Sequence, residues 1–442
     1  MTTFRSQRLE TLLGTKITQD DLKWEHLERL KAAQVREAAD LDYKRLYGTQ
    51  PSDRHKPGGD VAAMANTQGG LIIIGADEDG DAQLKDLPGL TLSDKEHTRL
   101  LGLIGDHVHP YADFEIIPVP DPDRDGIGCY VIAVPRSPRY PHGVLINNGF
   151  RYPRRNGHQT MYMSEPEIAS AYRARFSLAN DQITRIAEIE KTARNRFATY
   201  GGAWVTVSLV PNLPGDMIVN WDTFGSFKND FQSTDPVVLS RGGNTWQRIV
   251  PGPRCLILDT EVESWAPGSD SVKGVTAQLY TDGSGVFGMH VPDVNDQDQE
   301  RRPCRVDEKW LIVAVLSGLR LLAGYARDYA YAGGDALLRV RVGDSEPLSV
   351  ELGTTGPWGS VRLGEFSRPV ALAERAAPLD GLAAAGTSFV ATAAYLVGDI
   401  LRAFGHPDVL HITTEGRVAP SRWGPHQEAI ASWAKASDIE TI

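Results

Sequence analysis

A chain of 442 residues is too long for one ordinary core, so two or three domains are expected. Hydrophobic residues at 41% and charged residues at 23% exclude a disordered chain. Three scattered cysteines, Cys129, Cys255 and Cys304, exclude a disulfide framework and a cysteine-rich zinc site and fit a reducing compartment. The N-terminus has no apolar signal core, and no run approaches membrane-spanning length, so a cytoplasmic location without a membrane partner is expected. The net charge of −11 argues against a nucleic-acid binder, but its distribution does not. Between Arg136 and Arg196 eleven Lys and Arg stand against five Asp and Glu, a local +6 that leaves −17 elsewhere. Screening makes the local patch matter more than the total.

In chain order, residues 1–19 read as a tail. Leu22, Trp24, Leu27, Leu30 and Ala33 recur at helical spacing over residues 20–35. Leu41 to Tyr47 alternates as a strand, and the turn residues of 50–59 mark a loop. Asp60 reads as the cap of a short helix to Asn66, followed by an apolar strand from Leu71 to Gly75. A helix is expected near Asp94 to His107, then paired strands Phe114–Pro118 and Tyr130–Val134 around the turn 121–126. Phe150 starts another strand, and Glu165 opens a helix whose charged pattern continues to about Phe197.

Composition changes at Gly201-Gly202. Strands are expected at Ala203–Val210, Cys255–Thr260, Val275–Tyr280 and Val286–His290, the last two joined by the hairpin turn at Asp282–Gly285. Trp310–Tyr331 reads as a long apolar helix, Leu337–Val342 as a strand and Ala384–Phe404 as a helix. The last twenty or so residues read as a lightly anchored tail. The fold class is therefore α+β: an N-terminal mixed sheet with helices over 20–178, a helical linker over 179–200, and a second α+β domain over 201–442.

Chemistry concentrates between residues 37 and 77. Asp42 and Lys44, two apart on a strand, share one face. Glu37 lies upstream, and Asp77 ends the apolar strand. Hard cations such as Mg²⁺ or Mn²⁺ take carboxylate oxygens and keep waters for a substrate. Such a metal can activate water and stabilise a phosphate in transit, with a lysine neutralising developing charge. From spacing alone the plainer reading is a mixed-charge surface edge. Gly69 and Gly70 either supply a left-handed turn or expose N–H groups that cradle a phosphate, and Asn66 beside them serves backbone or substrate. Arg151, Arg154 and Arg155 are candidate phosphate contacts. His107, His109, His142 and His158 lack convincing metal-ligand spacing. Neither a G-x-x-x-x-G-K-[ST] loop nor G-x-G-x-x-G occurs, which disfavours an ATPase. Ser284 is a turn serine and not a nucleophile.

Taken in order, Glu37 to Lys44, Ala65-Asn-Thr-Gln-Gly-Gly-Leu-Ile-Ile-Ile-Gly-Ala-Asp77, Val134-Pro-Arg-Ser137 with Pro141-His142, and Arg154-Arg-Asn-Gly-His-Gln-Thr160 resemble the Schlafen/AlbA-type domain. The resemblance covers roughly residues 20–178. It implies a nucleic-acid-binding α/β module, which in the Schlafen branch includes metal-dependent endoribonucleases that cut transfer RNA. Carried over, Glu37, Asp42 and Asp77 would hold Mg²⁺ or Mn²⁺ and Lys44 would stabilise charge, with Asp42 standing where the pattern has the longer Glu. The resulting expectation is an endoribonuclease acting on tRNA or other structured RNA, with a defence role implied by the family only. The alternative is a non-catalytic DNA-binding regulator whose C-terminal domain acts as effector or forms a homo-oligomer.

Overall fold

Strand alternation decides the layering of the N-terminal part. The computed structural model describes residues 4–48, 50–197, 203–238, 245–260, 274–291, 304–344, 349–355 and 361–442. They fall into two compact units, Met1–Leu178 and Ala179–Ile442, both mixed α+β.

The first unit begins with α1 (Gln7–Leu13) and α2 (Trp24–Ala32). Then come β1 (Leu41–Lys44), α3 (Lys56–Ala65), β2 (Gly69–Ile74), β3 (Asp77–Glu78), β4 (Leu84–Asp86) and β5 (Leu90–Thr91). α4 (Asp94–Gly105), β6 (Val108–His109), β7 (Glu115–Pro120) and β8 (Ile127–Pro135) follow. Two hairpins, β9 (Gly143–Ile146) with β10 (Gly149–Arg151) and β11 (Pro153–Asn156) with β12 (Gln159–Tyr162), lead into α5 (Glu165–Phe197).

The central sheet runs β1-β2-β8-β5, with β7 also on β8, and only β1 and β2 are parallel. Leu41, Tyr43, Leu71, Ile73, Val131 and Ala133 face a core shared with Leu9 and Leu13 of α1 and Leu27 and Leu30 of α2. Ile72, Ile74, Ile132 and Val134 face the opposite core, built with Val61 and Ala62 of α3 and Leu100 and Ile104 of α4. A sheet buried on both faces explains why β2 is apolar at nearly every position.

Several expectations do not survive the fold. Of the stretch 1–19 read as a tail, the described residues 4–19 are not one, because Leu9, Leu13 and Ile17 are buried in the core. The helix read as starting at Asp60 starts at Lys56, with Pro57 in its first turn, where a missing N–H costs nothing. Asp60 lies within that helix, and its carboxylate accepts a 2.9 Å hydrogen bond from the Tyr47 hydroxyl.

The second unit continues α5 and adds β13 (Ala203–Leu213), α6 (Trp221–Gln232), β14 (Arg248–Gly252), β15 (Cys255–Thr260), β16 (Val275–Tyr280) and β17 (Gly285–His290). β18 (Cys304–Asp307), α7 (Glu308–Asp328), β19 (Gly333–Asp344), β20 (Val350–Thr355), β21 (Val361–Leu363) and β22 (Val370–Pro378) come next. α8 (Leu379–Ala383), α9 (Thr387–Ala403) and α10 (Gln427–Ala436) close it. The described strands include a seven-stranded antiparallel sheet ordered β14-β15-β16-β17-β13-β19-β22. Val205, Val207 and Leu209 face α7 and α9, whereas Trp204 and Val210 take Ile186, Ile189 and Ala193 of α5. Within the stretch 179–200 read as a helical linker, the described residues are helical as expected but packed on the sheet.

Helix α7 bears out the long apolar helix read at Trp310–Tyr331, but not the reading that no run approaches membrane-spanning length. By length and composition it could cross a membrane, yet 72% of its apolar window is buried in this core. The last residues are anchored too: Val418, Trp423, Ile430 and Ala434 are fully buried, and the Ile442 amide donates to the Val418 carbonyl. Ser284 is confirmed as a turn residue, donating from its amide and hydroxyl to Asp282.

Candidate nucleic-acid interface

Asp42 stands opposite Ile72 and Lys44 opposite Ile74 in the parallel β1–β2 register, so both side chains fall on the α3 side of the sheet. The same-face expectation holds, but the surface-edge reading does not, because Asp42 is buried. The Lys44 ammonium sits 2.5 Å from Asp42 Oδ2 and remains 31% exposed. The Arg155 guanidinium donates to Asp42 Oδ1 at 3.0 Å, with both side chains only 2% exposed. Its other nitrogen donates to the Ala38 carbonyl at 3.0 Å.

Arg155 reaches Asp42 through a clamp at the end of α3. The Asn66 amide donates to the Pro153 carbonyl at 2.8 Å and to the His142 carbonyl at 2.9 Å, and its oxygen accepts from the His142 amide at 2.7 Å. The Thr67 hydroxyl accepts from the Arg155 amide at 2.9 Å. Asn66 therefore serves backbone, as one of its two readings held. Gly69 and Gly70 are buried in β2, where a Cβ would come within 2.6 Å of the Val134 carbonyl and 2.5 Å of the Asp40 carbonyl respectively. These glycines allow close strand approach, and Gly69 takes the left-handed conformation at φ 79°.

The electrostatics follow from burial. Glu37 is pushed up to about 7, by desolvation first and by the Asp42 charge second, although Oε1 accepts from the Tyr43 amide at 2.7 Å. Asp60, which sequence reasoning missed, is pushed up to about 6 by burial and then by Asp42. Burial pulls the Lys44 ammonium down, but Asp42, Asp60 and Glu37 together outweigh it and raise its pKa. Asp60 and Glu37 thus share one field with Asp42 and Lys44. The helical register of Asp60 on the Tyr47 side was the signal that could have found it.

Asp77 does not join them. Its Oδ1 faces the Arg45 guanidinium at 3.6 Å, and the acid beyond Asp42 whose charge Glu37 feels is Glu78. Among the described residues, no group of three or more His, Cys, Asp or Glu side chains is arranged to hold a metal ion. The donor chemistry agrees. Each Asp42 oxygen already faces a cation, so a divalent ion would stand against an ammonium and a guanidinium. Glu37 must also lose a proton near neutral pH before it could coordinate. As arranged, Glu37, Asp42 and Asp77 do not fit Mg²⁺ or Mn²⁺.

The arginines separate. Arg155 is turned inward and is no phosphate contact. Arg154 pairs with Glu167 at 3.1 Å, and Arg151 is exposed at the end of β10. Arg136 and Arg173 are exposed as well, and so is most of the β11–β12 hairpin, including His158. His142 is buried with Nδ1 against the Pro110 carbonyl at 2.7 Å, and burial lowers its pKa, so it stays neutral and structural.

No curated protein matches the chain. Among solved structures, it is similar to the DIP2311 protein from Corynebacterium diphtheriae, a structural-genomics crystal structure, at 20% identity and a TM-score of 0.23. That match covers 38% of this chain and 28% of the other, so the chain spans little more than a quarter of that protein. The family model described as "Schlafen, AlbA_2" matches residues 37–164, which take in β1, the Asn66 clamp and both exposed hairpins. The N-terminal unit therefore carries a Schlafen AlbA_2 domain.

Proposed function

We propose that the N-terminal unit binds nucleic acid through its exposed basic hairpin surface, and that the Glu37–Asp42–Lys44 cluster, centred on the buried Asp42, is an electrostatic brace for that surface. The observation that carries this reading is Arg155, buried on Asp42 with its backbone held by the Asn66–Thr67 clamp. An aspartate that ties β1 to β11 fixes the root of both hairpins, which present Arg151 and His158 to solvent. Phosphate contacts of that kind give salt-dependent, sequence-tolerant affinity.

The rival reading is a metal-dependent endoribonuclease acting on tRNA or another folded RNA. One observation favours it: Glu37, Asp42 and Lys44 meet on one face, with Lys44 open to solvent. It requires Arg155 or Lys44 to leave Asp42. The experiment compares wild type and Asp42→Asn for binding and for cutting of a folded RNA in Mn²⁺. The brace reading expects salt-dependent binding and no chelator-sensitive cutting by either protein. Cutting that needs Mn²⁺ and disappears in Asp42→Asn would establish the nuclease instead.

A further inference from the structure

The first unit carries a row of aromatic rings that neither of its cores uses. β9 and β10 are joined by Asn147-Asn148, both left-handed at φ 47° and 64°, a two-residue turn that matches strand twist. Phe150 and Tyr152 follow on alternate positions, and both rings lie over Gly143 of β9. A Cβ at Gly143 would come within 3.0 Å of Phe150 Cδ1 and 3.1 Å of Tyr152 Cε1. His109 of β6 packs edge-on to Phe150 at 5.7 Å between ring centres. On the other side Tyr152 meets Tyr172 of α5 at 6.4 Å, and Tyr172 stacks on Phe176, one helical turn along, at 6.3 Å and 21°. Phe150 is 51% exposed and Phe176 75% exposed, so the row opens to solvent at both rings. The exposed Arg151 and Arg173 neighbour the rings in sequence, within the stretch from Arg136 to Arg196 where Lys and Arg outnumber Asp and Glu.

From this geometry we infer that the row from His109 through Phe150, Tyr152 and Tyr172 to Phe176 is a stacking platform for unpaired bases of a single-stranded nucleic acid. The inference rests on the binding reading above and names its ligand class. Unpaired bases offer π-faces that every ring can stack on, whereas a duplex hides them, and flanking arginines follow the backbone. Exposed cations on the same segments as open rings match a polyanion with aromatic faces. A duplex ligand would need the arginines but not the rings.

The test uses the full chain with fluorescein-labelled oligo-uridine and oligo-thymidine, and a duplex of equal length, titrated across a salt series. Phe150→Ala with Phe176→Ala is expected to weaken single-strand binding by about 10-fold per ring while leaving the salt slope and duplex binding unchanged. Phe150→Tyr with Phe176→Tyr, which keeps the rings, is expected to bind as wild type. Arg151→Ala with Arg173→Ala is expected to lower the single-strand slope by about 0.7 for each phosphate that is no longer neutralised. Wild-type single-strand affinity in the double alanine variant, with the arginine variant still losing slope, would overturn the platform and leave the binding reading standing. Absence of any nucleic-acid binding by wild type would overturn both. Conversion of a sedimenting dimer to monomer by the double alanine variant, with binding intact, would overturn the platform by making the row a self-association face.

Discussion

Replacing Arg155 by alanine tests the brace directly. The guanidinium and its Asp42 partner are both 2% exposed, and removing one partner of a buried pair costs about 3–5 kcal/mol because the other charge stays behind. Two local facts adjust that range. Lys44 remains 2.5 Å from Asp42 and offsets part of the loss, while the hydrogen bond to the Ala38 carbonyl disappears as well, at about 1 kcal/mol. The expected destabilisation of the first unit is about 3 kcal/mol. Because the chain has two units, a single unfolding midpoint would blur the effect. Native-state hydrogen exchange at the amides of β1, β2 and β8 isolates it. Arg155→Met combined with Asp42→Leu removes both charges and is expected to recover most of the loss, since well-packed apolar replacements of buried pairs are often neutral. A loss under about 1 kcal/mol in Arg155→Ala, or no recovery in the double variant, would refute the brace.

Glu37→Gln is expected to stabilise the unit by about 1 kcal/mol above pH 7 and to change little below pH 4.5, after allowing for the half-exposed site. The sign follows from the raised pKa: the folded state holds a proton that the unfolded chain releases between about 4.5 and 7, so wild-type stability falls through that window, and unfolding across pH reads the difference. Replacing Arg151, Arg154 and Arg155 together by Ala is expected to lower the duplex salt slope by about one unit, because Arg155 is buried and Arg154 already faces Glu167; a drop of about three, read from affinity against salt, would return Arg155 to the surface. Asp77→Asn is expected to leave exchange protection around β1 unchanged, since Asp77 faces only a distant, exposed Arg45; reduced protection there would place it in the cluster.

Much of the sheet was legible because its period is short. The apolar run at β2 and the two-residue spacing of Asp42 and Lys44 follow from strand geometry, and both hold. What closes on Asp42 was not legible, because Arg155 lies 113 residues downstream and no local pattern marks so distant a partner. Arg154 and Arg155 look alike in sequence. Alternation along β11 sends one outward to Glu167 and the other inward, and only the register of that hairpin decides which. The C-terminal residues failed for a related reason. Val418, Trp423, Ile430 and Ile439 are buried at spacings too wide to show a period, so their anchoring appears only once the core they join is present.

The cluster also shows what burial does to a set of acids. Asp42 is one methylene shorter than the glutamate of the pattern it resembles, and its carboxylate stays against the sheet, where Lys44 and Arg155 reach it from two sides. Burial first and the Asp42 charge second work against ionisation of the other acids, although Lys44 still favours it. Glu37 and Asp60 then shift upward toward neutral forms, which a buried site tolerates better than three unpaired carboxylates. The same arrangement that withdraws Asp42 from solvent pins β11, and β11 leads into the exposed hairpin beside the ring row. Charge at the centre and order at the hairpin surface are therefore coupled through one arginine. A variant that frees Asp42 would loosen the hairpin surface proposed to bind.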